Sequence, residues 1–334
     1  MPVTALEYKQ YIISTQINYT CDYYANYKAN ISGDMVERFL KSSKLKPAFI
    51  WEQVKDEIIY SSNGCLIIDK TVLEHKNTTQ IENAYKQWSG NSHAIVVGIG
   101  VINLVYYNPD LDRFWIIDYR IWDKKVDGKK ETEHAMTLLK QAVKREVIFT
   151  TVLFDAFYAS NEILNYIGLD LKKIFYCNLN SSRTCKEEFE YKQIKDLEWT
   201  DNELQTGKLV KLRDIPIKMP IRLFSIASSD RRIDVLCTNN TTSMTALEMQ
   251  QAYSLRWKVE EFHRQIKQTL GIAKCQCRKN RSQRNHIVCC MLSWIYLTKE
   301  AIKNKTTIYQ LKKKQLDDYM VSVLKHPYWK YQGV

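Results

Sequence analysis

Between residues 253 and 267, Tyr253, Arg256, Glu260 and Lys267 stand three, four and seven residues apart in succession. On one continuous helix with Tyr253 at zero, Arg256 falls at ~300°, Glu260 at ~340° and Lys267 at ~320°. The four share one face within an arc of about 60°. Leu255, Val259, Phe262 and Ile266 take the opposite, apolar side. Alone, such a stripe could be solvated ion pairs, Arg256 with Glu260 and Glu260 with Arg264. Two further acids give it another meaning. Asp69 follows Leu66-Ile67-Ile68, and Asp155 follows Val147 to Phe154, so each closes an apolar run that reads as a strand. Two strand-end acids and one helix acid form the donor set of a metal-assisted phosphoryl-transfer site, where carboxylate oxygens hold Mg²⁺ or Mn²⁺ and phosphate and water complete the shell.

Such a constellation needs a scaffold that brings distant segments together. Residues 1 to about 60 read as helical, with Val36, Phe39 and Leu40, then Ile50, Val54 and Ile58, at helical spacing and Pro47 suited to a first turn. This segment fits a small DNA-binding module or a helical lead-in packed on the next domain. Strands follow at Leu66–Asp69, Ala94–Tyr107, Arg113–Ile117, Val147–Phe154 and Ile174–Leu179. A helix is expected at Thr132–Lys144, and a short one at Ser160–Ile167, stopped by Gly168. The order βββαβαβ predicts a mixed sheet flanked by helices. Cys185–Thr206 reads as irregular, and three short strands lie between Lys208 and Thr238. Seven basic residues stand against two acids between Lys208 and Arg232. One long helix is expected from Met244 to about Leu270 and another over Ile287–Leu297, with a lysine-rich tail after Lys299.

Composition narrows the class. The 49 Lys and Arg against 37 Asp and Glu give a formal charge of +12, and 45% of residues are apolar. A chain with a sizeable core and a strong positive excess points to a polyanionic partner, nucleic acid first. From Arg256 to Arg284 nine basic residues face only Glu260 and Glu261, which suits DNA tracking and salt-sensitive binding. There is no run long enough for a membrane helix, no signal-peptide pattern at the first residues, no P-loop and no serine-hydrolase or zinc-protease motif. Nine Cys, with Cys275/Cys277 and Cys289/Cys290 too close for C-x₂-C spacing, read as reduced thiols rather than a zinc site. These features lead to the expectation of a cytoplasmic, nucleoid-associated protein.

The chain resembles the DDE transposases of bacterial insertion sequences, in the large IS-four group with the Tyr-Arg-Glu-Lys (YREK) signature. That signature, Y-x₂-R-x₃-E-x₆-K, is matched at Tyr253, Arg256, Glu260 and Lys267. The first acid of the family ends a strand with Thr two residues on, as at Asp69 and Thr71. Its second acid opens a D-[SA]-[WF]-Y-x-S box, matched from Asp155 to Ser160. The gap from Asp155 to Glu260 fits the β-rich insertion the family carries. Where relatives often show L-K-x-N-R, this chain keeps Leu179 and Arg183.

The resemblance implies an α/β fold: a ribonuclease-H-like mixed five-stranded sheet flanked by helices, interrupted by a β-rich insertion, with a helical N-terminal segment. The implied parts are an N-terminal segment at 1–60, a first catalytic part at 61–184, a basic insertion at 185–243, a second catalytic part at 244–300 and a helical tail at 301–334. It implies two Mg²⁺ ions, replaceable by Mn²⁺, on Asp69, Asp155 and Glu260. Tyr253, Arg256, Lys267, Arg264 and Arg183 would contact DNA phosphates. The implied reaction is cut-and-paste transposition: cleavage at terminal inverted repeats, then attack of a 3′-hydroxyl on target DNA, carried out by a homodimer on paired ends. A domesticated, inactive DNA-binding derivative and a host endonuclease on the same core are the alternative readings.

Overall fold

The computed structural model describes residues 2–75, 80–90, 92–187, 190–216, 218–227 and 233–325. Four helices open the chain: α1 (Ala5–Ser14), α2 (Cys21–Asn26), α3 (Gly33–Ser42) and α4 (Ala48–Val54). Then come β1 (Cys65–Glu74), β2 (Tyr85–Ser89), β3 (Ala94–Asn108), β4 (Arg113–Trp122), α5 (Glu131–Lys144), β5 (Thr151–Phe154), α6 (Asn161–Asn165) and β6 (Ile174–Leu179). The next stretch holds β7 (Thr184–Glu187), β8 (Glu190–Gln193), α7 (Asp201–Thr206), β9 (Lys208–Leu212), β10 (Ile221–Ala227) and β11 (Ile233–Thr238). Helices α8 (Ala246–Ser254), α9 (Trp257–Leu270), α10 (Asn280–Lys303) and α11 (Ile308–Lys325) complete it.

The chain divides into two compact units, one of residues 57–71 and 101–261, the other of residues 1–56, 72–100 and 262–334. In the first, the strands run in the order β3-β1-β5-β6-β11-β10-β9-β7-β8, with β4 also on β3. β4-β3-β1-β5-β6 is the expected five-stranded core. β1–β5 and β5–β6 pair parallel while β6–β11, β10–β11 and β9–β10 pair antiparallel, so the sheet is mixed. The insertion is thus a continuation of that sheet from β6.

The start of β1 is pinned by backbone approach. Gly64 lies where a Cβ would sit 2.2 Å from the Tyr106 hydroxyl, an oxygen that accepts the Ser61 N–H at 2.9 Å. Thr150 donates its N–H and its hydroxyl to the Gly64 carbonyl, at 2.9 and 3.1 Å. This fixes the β1–β5 register, Cys65 opposite Thr151, Leu66 opposite Val152 and Ile67 opposite Leu153. Cys65, Ile67 and Leu153 line one buried cluster with Tyr176, Phe224, Leu236, Met249 and Val259. By strand alternation Asp69 continues the face of Cys65 and Ile67, and that face is covered by α8 and the start of α9.

In the other unit, α1, α3 and α4 pack on α10. The buried Asn285 side chain donates to the carbonyls of Leu40 and Ser43, both at 2.7 Å, and accepts the Leu45 N–H at 3.1 Å. Tyr8 and His286 are joined at 2.9 Å. β2 pairs antiparallel with Ala94–Gly98 of β3.

Several expected bounds change for identifiable reasons. β1 does not end at Asp69: Val72 and Leu73 are buried and keep the strand going, while Lys70 is neutralised by Glu131. β2 is polar (YKQWS) and gave no apolar signal. β5 is only Thr151–Phe154: after the turn at Glu146, whose φ is 56°, Val147 still donates its N–H back to the Ala142 carbonyl of α5 at 3.1 Å, and pairing with β1 and β6 begins at Thr151. Gly168 does not stop a helix: a π-helical turn, Tyr166–Asp170, runs through it. Cys185–Thr206 is not irregular, since it holds the β7–β8 hairpin and α7, the latter opened by a Thr200–Glu203 capping box. The helix from 244 is two helices, α8 and α9. Arg231 and Arg232 of the basic segment, and residues 326–334 of the tail, lie outside the described residues.

Ile67, on the same face of β1 as Asp69, is fully buried. Ile67→Ala is expected to lower unfolding stability by about 2–5 kcal/mol; urea denaturation of the two proteins measures it, and a loss under about 0.5 kcal/mol would contradict this packing.

Candidate catalytic metal centre

Asp69 lies four residues beyond Cys65, and Asp155 lies four beyond Thr151, the residue opposite Cys65. The parallel register therefore carries the two acids level with one another on adjacent chains, which in a sheet run about 4.8 Å apart. Asp155 follows the last residue of β5 and caps a short 3₁₀ turn, Ala156–Tyr158, accepting the Phe157 N–H at 3.0 Å.

The third acid arrives from the far end of the sequence. α8 starts at a Thr245–Glu248 capping box and runs to Ser254. Three-residue turns follow, Arg256 N–H to Tyr253 carbonyl (3.0 Å), Lys258 to Leu255 (3.1 Å) and Val259 to Arg256 (3.2 Å), before α9 is established. Tyr253 is thus on α8, Arg256 in the joint and Glu260 in the first turn of α9. The single-helix phase assumed above does not hold, yet the joint still brings Tyr253, Arg256 and Glu260 together; Lys267, seven residues beyond Glu260, is not part of the joint. Arg256 Nη1 is 3.3 Å from Asp69 Oδ2 and 3.2 Å from Glu260 Oε1, and its guanidinium packs on the Tyr253 and Trp257 rings at 5.7 and 5.5 Å. Carboxylate oxygens of Asp69 and Glu260 lie within 4.8 Å of each other. Glu261 turns elsewhere, to Lys258, which also holds Asp112 at 2.6 Å.

Burial dominates the electrostatics. Asp69 is 7% exposed, and its carboxyl is pushed up to about 7, by burial first, with Asp155 and Glu260 adding to the rise and Arg256 opposing it. Asp155 is also raised by burial, against Arg256, the N–H groups of Tyr158 and Phe157, and Lys70. Burial works against the charge on Arg256, but Asp69, Tyr253, Glu260 and Asp155 hold it protonated.

The remaining expected residues lie in different settings. Lys267 is half-buried in the last turn of α9, and Arg264 is exposed on the same helix. Arg183 donates to the Ala159 carbonyl and the Asn161 side chain, bracing the segment after Asp155. Two neighbours of the acids escaped the sequence reading. Lys70 pairs with the buried Glu131 at 2.8 Å and lies over the Trp122 and Phe157 rings at 5.7 and 5.6 Å. The Tyr158 hydroxyl is buried with no hydrogen-bond partner among the described residues, and Glu131, Asp69 and Asp155 add to the effect of burial in raising it. Its place in the D-[SA]-[WF]-Y box was the available signal; Glu131 offered none, being one more acid in a helical first turn.

A buried carboxylate group level on parallel strands and joined by a helix acid belongs to the ribonuclease-H-like class of mixed α/β folds. Residues 61–296 match the family described as Transposase DDE domain. That span is well over half of the chain, and the chain belongs to this family. No curated protein matches the chain. Among the described residues, no helix is long and apolar enough to cross a membrane.

The raised Asp69 carboxyl sets a pH signature. An unfolded Asp releases its proton near ~3.9, whereas folded Asp69 keeps it to about 7. Between those values the folded chain binds the extra proton, so stability falls as pH rises through the window. With chelator present, Asp69→Asn should flatten this fall and be the more stable protein at pH 8. Thermal melts from pH 4 to pH 8 check it; parallel curves for the two proteins would refute it.

Proposed function

We propose that this chain is an insertion-sequence transposase of the YREK type, which cuts DNA at transposon ends and joins the freed 3′-hydroxyl to target DNA. The observation that carries the reading is Arg256, bound at once to Asp69 and Glu260 beside Asp155, within the span that matches the family.

The donor set fits divalent metal. Three carboxylates supply hard oxygens, and burial first, then the neighbouring acids, raise the Asp69 carboxyl, an unfavourable charge that added positive charge relieves. Asp69, Asp155 and Glu260 would hold Mg²⁺, with Mn²⁺ a substitute. When bound, such ions activate a water or 3′-hydroxyl and stabilise the leaving oxygen of an in-line displacement.

The residues of the chain do the positioning. The Nε of Arg256 is buried without a hydrogen-bond partner among the described residues, a spare donor that suits a phosphate oxygen near the cut. Tyr253, Lys267 and Arg264 extend that role along the backbone of the DNA. Arg183 serves instead by holding the turn that carries Asp155. Both ends of an element must be cut and joined together, so the acting form is a homodimer assembled on paired ends. At +12, free protomers repel until bound phosphate screens them.

The test is cleavage and joining of end-containing DNA with Mn²⁺ or Mg²⁺. Asp69→Asn, Asp155→Asn and Glu260→Gln should each lose at least about 100-fold in rate while DNA binding persists; Glu261→Gln should keep activity. Full cleavage by any of the first three, or loss confined to Glu261→Gln, would sink the assignment. Light scattering should show a monomer alone and a higher mass with end DNA, the more so at low salt. A DNA-bound monomer competent in joining would contradict the assembly.

A further inference from the structure

Two residues after Asp155 stands a ring that the metal centre does not use. Phe157 is 56% exposed, although a side chain of that size gains most from burial. Its place is fixed from several sides. Its N–H is donated to Asp155 Oδ1 at 3.0 Å. The turn that carries it is closed by the Tyr158 N–H on the Asp155 carbonyl, at 3.2 Å, and by the Ala159 N–H on the Ala156 carbonyl, at 3.3 Å. The Tyr158 ring stands at 86° to it, with centroids 5.3 Å apart. Lys70 Nζ lies 5.6 Å from the Phe157 centroid and 5.7 Å from that of the half-buried Trp122. Glu131 grips the same ammonium at 2.8 Å, and the Trp122 indole N–H is tied to the Lys129 carbonyl at 3.1 Å.

We propose that Phe157 is a stacking platform for a nucleobase beside the phosphate that is cut, held in place by Lys70 and Trp122. The inference rests on the reading of the chain as a DNA-cutting transposase and adds a substrate contact to it. A cation prefers the face of a ring, so Lys70 takes one face of Phe157 and the exposed part of the ring is left for another flat group. Every nucleobase offers such a group, whatever its identity. Two residues of chain span no more than about 7 Å, so a nucleotide whose phosphate meets the Asp155 carboxylate has its base within reach of the ring. The ring is already fixed by the turn and by Lys70, so little freedom is lost when a base settles on it.

The surroundings favour nucleic acid over a protein partner. The ring stands beside a carboxylate reserved for phosphate chemistry, on a chain of net charge +12. Glu131 neutralises Lys70, so this wall meets the base rather than the phosphate. Its contribution should therefore be insensitive to salt, unlike that of a phosphate contact.

Binding of duplex DNA that carries the end of the element, measured on the full chain with chelator present so that nothing is cut, tests this. The duplex is made intact or with one abasic nucleotide, moved position by position across the terminal nucleotides. For the unsubstituted chain one abasic position should weaken binding by about 10-fold. Phe157→Ala should bind the intact duplex more weakly by a similar factor, lose its sensitivity to that position and keep the same salt dependence; Phe157→Trp should restore both affinity and sensitivity. Abasic sensitivity that is absent from the unsubstituted chain, or equal in it and in Phe157→Ala, would overturn the proposal. So would a Phe157→Ala protein with full affinity and a smaller assembly on DNA, which would give the ring to a protein interface. Cleavage with Mn²⁺ is followed in parallel: a chain that binds but never cuts would remove the transposase reading, while the abasic comparison would still decide the contact.

Discussion

Carboxylates that share a water-poor patch repel one another, and each pays for lost hydration; that conflict governs how this protein is built. Asp69 shows it most clearly, its carboxyl raised to about 7 by burial and by two neighbouring acids. A buried charge without a partner is unfavourable by several kcal/mol, so the site must carry its own cation. Arg256 fills that place because its planar fork can address two carboxylates while its flat faces rest on aromatic rings. The Tyr253 and Trp257 rings lie at that distance. Lys70 with Glu131 forms a second, separately balanced pair beside Asp155.

The sheet supplies the position that chemistry alone cannot. A parallel pair keeps constant register, so two acids at equal distance from a fixed pair of residues stay level. The Gly64–Thr150 contacts set that starting pair. The apolar residues before Asp69 on the same face, Cys65 and Ile67, bury against Met249 and Val259, and this packing draws Arg256 and Glu260 toward the acid. Core residues and an acid thus follow one another on a single face of β1, the face that α8 and the start of α9 cover.

Much of this was legible in the sequence, and the reasons differ by residue. Asp69 and Asp155 stood out as candidates because each follows a run of apolar residues, a contrast that survives without coordinates, and Glu260 stood out through its spacing from Tyr253, Arg256 and Lys267. The five core strands were visible for the same reason. β2 was invisible because a polar strand lacks that contrast. The α8–α9 joint was missed because Leu255 and Arg256 are good helix formers; what breaks the helix there is tertiary, and no local propensity records it. Arg183 shows the converse limit. Its residue type suits a phosphate contact, but two backbone-proximal acceptors, the Ala159 carbonyl and the Asn161 side chain, claim its guanidinium. The Lys70–Glu131 pair joins residues far apart in sequence, so neither could be read as part of the site alone.

The charge pattern then makes sense at two ranges. A net charge of +12 draws a polyanion from a distance, but beyond about 8–10 Å physiological salt screens each charge. Within that radius an arriving phosphate meets carboxylates, which repel it. Arg256 offsets part of that repulsion and, at the same time, lowers the carboxyls it touches toward their ionised form. A single residue therefore does two things: it makes a cluster of acids tolerable in the folded chain, and it opposes the rise that burial imposes on their carboxyls. Replacing it by lysine would keep one positive charge but lose the fork and the stacked face, so the two services cannot be separated by charge alone.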